Sequence, residues 1–160
     1  GGYAFRLEPL DAGALLAGLV DEFRLEPMAK TREVLCDIEP NLPAIRADAE
    51  ALTRALWNLL ENAAKYSAPD APVRAFARRA GTAVHLGVVD HGVGIEPHER
   101  GRIFEKFVRG ADAQRTGVRG VGIGLSLVKR IVDAHGGSVR VDSEPGRGST
   151  FTLVIPCLES

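Results

Sequence analysis

Asn58, Asn62 and Lys65 fall at helical spacing within "NLLENAAKY", which stacks two amides and an ammonium on one side of a helix, opposite its leucines. An amide oxygen suits a hard cation such as Mg2+ that keeps several waters and substrate phosphates, while lysine offers phosphate a point charge. A solvated polar face is the plain alternative for this stretch alone. Further on, the apolar run in "VVDHGVGIEP" ends in Asp90, followed by Gly92 and Gly94. Glycines let a flat ligand approach the backbone, and the Asp90 carboxylate can accept a hydrogen bond from an exocyclic amine such as that of adenine. A tight turn after a strand accounts for the same residues. In "RGVGIGLSLVKR", Gly120, Gly122 and Gly124 open a helix, where exposed amide N–H groups attract phosphate. A flexible linker is the competing explanation, and the spacing matches neither a P-loop nor a dinucleotide fingerprint.

The elements that must hold these residues can be read from periodicity. Leu15, Leu16, Leu19, Val20 and Phe23 form an apolar stripe behind a cap at Asp11. "EVLCDIEP" and "AIRAD" read as strands joined by the "PNLP" turn, after which Asp48 caps a helix over "AEALTRALWNLLENAAKYS" that buries Leu52, Leu56, Leu59, Ala63 and Tyr66. "VRAFARRA" and "AVHLGVVD" make a hairpin across "GT". "GVGIEPHER" is a loop, "RIFEKF" a short helical turn, and "VRGADAQRTGVRGVG", without apolar periodicity, a mobile lid over about 108–122. Leu125, Val128, Ile131 and Val132 define a third helix that stops at "HGG", with Gly136 in a left-handed cap. "SVRVDS" and "STFTLVIP" are closing strands around the "EPGRG" turn. This order does not alternate strand and helix, so an α+β sandwich with helices on one face of a mixed sheet is expected.

Bulk properties narrow the function. The formal net charge of -1 gives no basic field for nucleic acid or anionic lipid. Cys36 and Cys157 lie far apart, which suggests neither a zinc site nor a disulfide framework and fits a reducing, cytoplasmic setting. No apolar run approaches the ~20 residues that cross a bilayer, and the start "GGYAFRLEPL" lacks the basic-then-apolar pattern of a signal peptide. The 160 residues make one domain, with Gly1 and Gly2 read as an added remnant and the abrupt start suiting a piece of a longer protein.

In order and spacing, N-x-x-x-N-x-x-K-Y, D-x-G-x-G, "IFEKF" and G-x-G-x-G-L resemble the N box, first glycine box, F box and second glycine box of the catalytic, ATP-binding domain of bacterial two-component sensor histidine kinases. The likeness runs from about Phe5 to Pro156, and "GRGSTFTLVIP" is similar to that family's closing glycine-threonine turn and strand. It implies the Bergerat fold, a two-layer α/β sandwich with a mixed, mainly antiparallel sheet and three main helices on one face, shared with gyrase-type and mismatch-repair ATPases. Carried over by position, Asn62 would coordinate Mg2+, Asn58 would support metal and phosphates through water, and Lys65 would reach a phosphate; these three are the implied catalytic residues. Tyr66 would line the ATP pocket, Asp90 would bind the adenine amine, and Gly92, Gly94 and Ile95 would surround the base. Phe104 and Phe107 would anchor the lid, for which a plain core role is equally open. Gly120, Gly122 and Gly124 would hinge it and offer N–H groups to phosphate, with Val121, Leu125 and Thr150 completing the pocket. Arg109, Arg115 and Arg119 read as solvated lid residues that could reach the triphosphate.

Gyrase-like hydrolases typically carry a water-activating glutamate where this chain has Asn58, and an amide is a poor general base. Glu61, one residue before Asn62, points about 100° away around the helix. None of His85, His91, His98 and His135 sits in an H-E-x-x-x-P-type box, so the resemblance implies a phosphoacceptor histidine on a separate dimerisation domain and a response regulator as partner of the parent kinase. It also implies a cytoplasmic, monomeric domain without direct membrane contact, in a parent attached to the bacterial inner membrane. Two alternatives are an anti-sigma-factor-type serine kinase of the same fold and a non-catalytic nucleotide-binding module; the F box favours the sensor kinase.

Overall fold

The computed structural model describes residues 4–68, 70–91, 121–144 and 146–158. Ten regular elements follow the order β1 (Glu8–Leu10), α1 (Ala12–Phe23), β2 (Val34–Ile38), β3 (Ile45–Ala47), α2 (Ala49–Tyr66), β4 (Val73–Ala80), β5 (Ala83–Asp90), α3 (Val121–Ala134), β6 (Ser138–Glu144) and β7 (Gly148–Pro156), with a 3-10 turn at Pro27–Ala29. Five strands form one sheet in the order β2-β4-β5-β7-β6, antiparallel except for the parallel pair β2 and β4. The three helices among the described residues cover one face: α1 lies against β2 and β4, α2 against β4 and β5, and α3 against β6 and β7.

Both expected caps form. The Asp11 carboxylate accepts from the Ala14 N–H at 3.0 Å, and Asp48 accepts from the Ala51 N–H at 3.0 Å, satisfying backbone donors that no helical carbonyl reaches. Leu16, Phe23, Leu52, Leu56, Leu59, Leu86, Leu125 and Ile155 are fully buried between the layers. Alternation along the strands explains why: Val73, Ala75 and Ala77 of β4 face the helices, while Arg74 and Arg78 face outward and stay exposed. Trp57 meets Phe23 edge-on at 5.3 Å, locking α2 to α1. Gly136 ends α3 with φ +69.

The two strands expected around "PNLP" both form. The segments flanking "PNLP" do not pair with each other: β2 runs parallel to β4, and β3 pairs with β1 in a separate two-stranded sheet. A parallel pair requires a crossover, and α2 supplies it, so the Pro-containing turn, with Asn41 at φ 61, redirects the chain rather than closing a hairpin. β1 is a three-residue strand containing Pro9, too short for alternation to reveal. The expected loop, "RIFEKF" turn and lid up to Gly120 lie outside the described residues; the last lid positions, Val121 and Gly122, belong to α3.

His85 sits on the outer sheet face, opposite Arg78, yet is buried. Burial, reinforced by Arg78 and Arg140, holds its imidazole below the usual value. The folded state therefore favours neutral His85, and its stabilising effect, complete above pH ~6.5, is lost as pH falls toward the folded value. Urea titrations at pH 7 and pH 5 should show a smaller acid-induced loss in His85→Gln than in the wild type; equal losses would reject this assignment. Leu56→Ala should lower unfolding free energy by about 2–5 kcal/mol, measured the same way.

Candidate functional site

The polar face predicted on α2 exists. Asn58 and Asn62 are half-buried and Lys65 exposed, while Leu52, Leu56, Leu59 and Ala63 fill the opposite side. The Asn62 amide nitrogen is buried and has no hydrogen-bond partner among the described residues. Tyr66, half-buried at the end of α2, has its phenol pushed up by burial and so remains neutral.

Two contacts bring β5 to this end of α2, and a third at its other end sets the direction of α3. At its C-terminus, the Ser67 hydroxyl accepts from the His91 N–H at 3.3 Å, and the Ala68 N–H donates to the His91 carbonyl at 3.3 Å. The residue after Asp90 is thereby stitched to the residues after Tyr66. At the other end, the Asp48 N–H donates to Nε2 of His135, just past α3. Since α2 and α3 also pack along each other, they run antiparallel. The amide-rich N-terminus of α3 at Val121–Gly124 consequently lies at the Asn62–Lys65 end of α2, roughly 21 Å from His135 at ~1.5 Å per residue.

Asp90 ends β5 opposite Ser149 of β7, and its Oδ1 accepts from the Ser149 N–H at 3.2 Å. Ser149 is itself held through its hydroxyl, 2.8 Å from that of Ser143, and the Ser143 hydroxyl donates to the Gly148 carbonyl at 3.1 Å. Gly148 has φ +107, and a Cβ there would collide with the Asp90 carbonyl oxygen and lie 2.8 Å from Cα of His91. Its lack of a side chain lets β7 close on the Asp90 backbone. A cleft of about 410 Å3 borders these residues, lined by Asp90, Ser143, Gly148 and Ser149 among others.

Residues 47–159 match the family of histidine kinase-, DNA gyrase B- and HSP90-like ATPases. This chain belongs to that family. Within it, the domain is an ATP-binding catalytic domain of the sensor histidine kinase type. It is 42% identical over 126 residues to the sensor-like histidine kinase SenX3 of Mycobacterium tuberculosis, a match covering 79% of this chain and 30% of that one. The chain thus spans under a third of this relative's length. Among solved structures, full-length ShkA in complex with AMPPNP superposes with a TM-score of 0.83 at 31% identity, covering 100% of this chain and 33% of ShkA. The mycobacterial sensor histidine kinase MprB superposes with a TM-score of 0.79 at 30% identity, covering 96% of this chain and 99% of that one.

The half of α2 that carries Asn58, Asn62, Lys65 and Tyr66 is tied at its end to the residue after Asp90, and the antiparallel course of α3 puts Gly122 and Gly124 at the same end. Thr150 pairs with Val89 and lines the same cleft as Asp90, and its neighbour Ser149 is the β7 residue whose N–H meets the carboxylate. Leu125 is fully buried in the core. Gly92, Gly94, Ile95, Phe104, Phe107, Arg109, Arg115, Arg119 and Gly120 lie outside the described residues. Ser143, Gly148 and Ser149 were missed as contributors; the only sequence signal was the glycine turn itself, since strand register decides which residue meets Asp90. Glu61 is half-buried next to Asn62. Gly148→Ala should destabilise the fold by about 1–3 kcal/mol in urea titration and displace Asp90, seen as shifted Asp90 and His91 amide resonances.

Proposed function

We propose that this chain binds MgATP at the rim shared by α2, β5 and α3, and donates the γ-phosphoryl group to a histidine on a separate dimerisation domain of a longer sensor kinase. The observation that supports the reading is the Ser67–His91 stitch, which ties the end of α2 nearest Asn62 and Lys65 to the residue after Asp90. A phosphate-directed face and an amine-directed acceptor at the two sides of one rim suit the two ends of ATP. The carboxylate of Asp90, oriented by the Ser149 N–H, would accept from the adenine amine. Tyr66 would line the pocket with a neutral ring. Lys65 would approach a phosphate oxygen, and the first-turn N–H groups of α3 would offer further donors.

The residues present suit Mg2+. The buried Asn62 amide has no partner among the described residues, and a 180° flip presents its oxygen in place of its nitrogen. Asn62 would hold the ion through that oxygen and Asn58 through water, with phosphates and water filling the remaining positions. When bound, Mg2+ neutralises charge on the transferred phosphoryl group. The chain's own contribution is then positioning and charge, because the amide of Asn58 cannot activate water as a carboxylate would. A histidine acceptor brings its own nitrogen lone pair.

The acceptor is placed on another domain because the described histidines have other surroundings. His85 is buried in β5, His135 holds Asp48, and the exposed His91 is stitched through its backbone to Ser67 and Ala68. His98 lies outside the described residues. A response regulator would receive the phosphoryl group from the parent kinase. No helix among the described residues is long and apolar enough to cross a membrane; we place the domain in the cytoplasm, where ATP is available, in a parent attached to the bacterial inner membrane.

Isothermal titration with ATP, with and without Mg2+, tests these assignments. Asp90→Ala should weaken ATP binding about 10–100-fold, the effect of removing a charged hydrogen bond. Asn62→Ala should abolish the difference between the two titrations while ATP alone binds as before. Unchanged affinities in both variants would refute the two roles.

A further inference from the structure

The geometry points to His135 as a positioning residue that couples the entering segment of the chain to the nucleotide rim, an inference that rests on the nucleotide-site reading above. His135 is 6% exposed and lies at the end of α3, remote from that rim. Its Nδ1 is 2.7 Å from the Ile131 carbonyl, and its Nε2 accepts from the Asp48 N–H at 3.0 Å. A carbonyl can only accept and a backbone N–H can only donate, so the two partners select the neutral imidazole protonated on Nδ1.

Asp48 turns this contact into a three-way junction. Its Oδ1 caps α2 through the Ala51 N–H, its Oδ2 accepts from the Arg6 N–H at 2.9 Å, and its own N–H goes to His135. The Phe5 ring packs edge-on against the imidazole at 5.9 Å, and two residues past Arg6 the chain enters β1, which pairs with β3 immediately before Asp48. Segment 5–10, the start of α2 and the end of α3 therefore meet at two buried side chains. The ionised form of Asp48 is favoured there, chiefly by the Ala51 and Arg6 N–H groups.

The two helices carry this junction to the site. Asn62 lies roughly 21 Å along α2 from Asp48, and Val121 lies about as far along α3 from His135. A helix is stiff over that length, so the clasp sets the antiparallel register in which the amides of α2 face the N-terminus of α3. Opening it from the entering segment would let the helices slide and spread the groups that hold the triphosphate. Linkage makes the coupling reciprocal: nucleotide at the rim must tighten the clasp as much as the clasp tightens nucleotide binding.

The test uses the 160-residue chain. Amide hydrogen exchange is followed with and without MgATP in the wild type, and ATP affinity is measured for His135→Gln, His135→Asn and His135→Ala. Glutamine places an acceptor near the position of Nε2 and should preserve both affinity and exchange behaviour. Asparagine can serve Ile131 but cannot reach Asp48, and with alanine it should weaken ATP binding about five-fold or more. In the wild type, MgATP should slow exchange at Arg6 and Asp48; in the asparagine and alanine variants that slowing should vanish while a cooperative urea transition remains. The inference is overturned if the wild type binds MgATP but leaves Arg6 and Asp48 exchange unchanged, a result that needs no variant to fold. It is also overturned if His135→Ala binds as tightly as the wild type, or if glutamine rescues no better than asparagine. A wild type that does not bind MgATP would instead remove the nucleotide-site reading, and the coupling with it.

Discussion

Burial of one face of α2 is the constraint on which the rest of the molecule depends. Leu52, Leu56, Leu59 and Leu60 are almost wholly removed from water between the sheet and the neighbouring helices, and each would cost about 2–5 kcal/mol to truncate. With that face committed, a 3.6-residue period leaves no freedom about where Asn58, Asn62 and Lys65 emerge. Hydrophobic packing thus orients polar groups that make no contribution to it.

Rotation about its axis would still leave α2 free to slide, and polar contacts at both ends prevent that. Asp48 pins the start to the entering segment and to α3, and the Ser67–His91 stitch pins the finish to β5. Each contact is an ordinary hydrogen bond, worth only about 0.5–1.5 kcal/mol net. Their importance is geometric: each joins residues far apart in sequence, and together they decide which end of α2 meets Asp90 and which meets the end of α3. The same division appears at β7, where core packing of Phe151 and Leu153 sets the strand on the sheet and the Ser143–Ser149 pair aligns the N–H that meets Asp90.

Helices were legible in the sequence because their signals are local. Asp11 and Asp48 stand directly before the helices they cap, and the leucine spacing of α2 and the left-handed glycine after α3 need no distant partner to be read. Strand pairing was not legible for the opposite reason. β3 finds β1, more than thirty residues earlier, and β2 finds β4 across a helix. Nothing in "AIRAD" or "EVLCDIEP" states those partners. The same holds at β7: alternation tells which residues share a face, but only register against β5 tells that Ser149 stands opposite Asp90.

The sequence by itself determined the two-faced character of α2, the chemistry carried by Asn58, Asn62, Lys65 and Asp90, and the resemblance that led to the ATPase family. These are properties of residue type and short-range spacing. Tertiary structure alone decided that Ser149 rather than Thr150 meets Asp90, that Gly148 must lack a side chain to let β7 close, and that His135 belongs to a buried junction with Asp48 and Phe5. Those outcomes depend on strand register and on hydrogen bonds between residues as many as 87 positions apart, and no local pattern can encode a partner that only the folded chain brings within 3 Å.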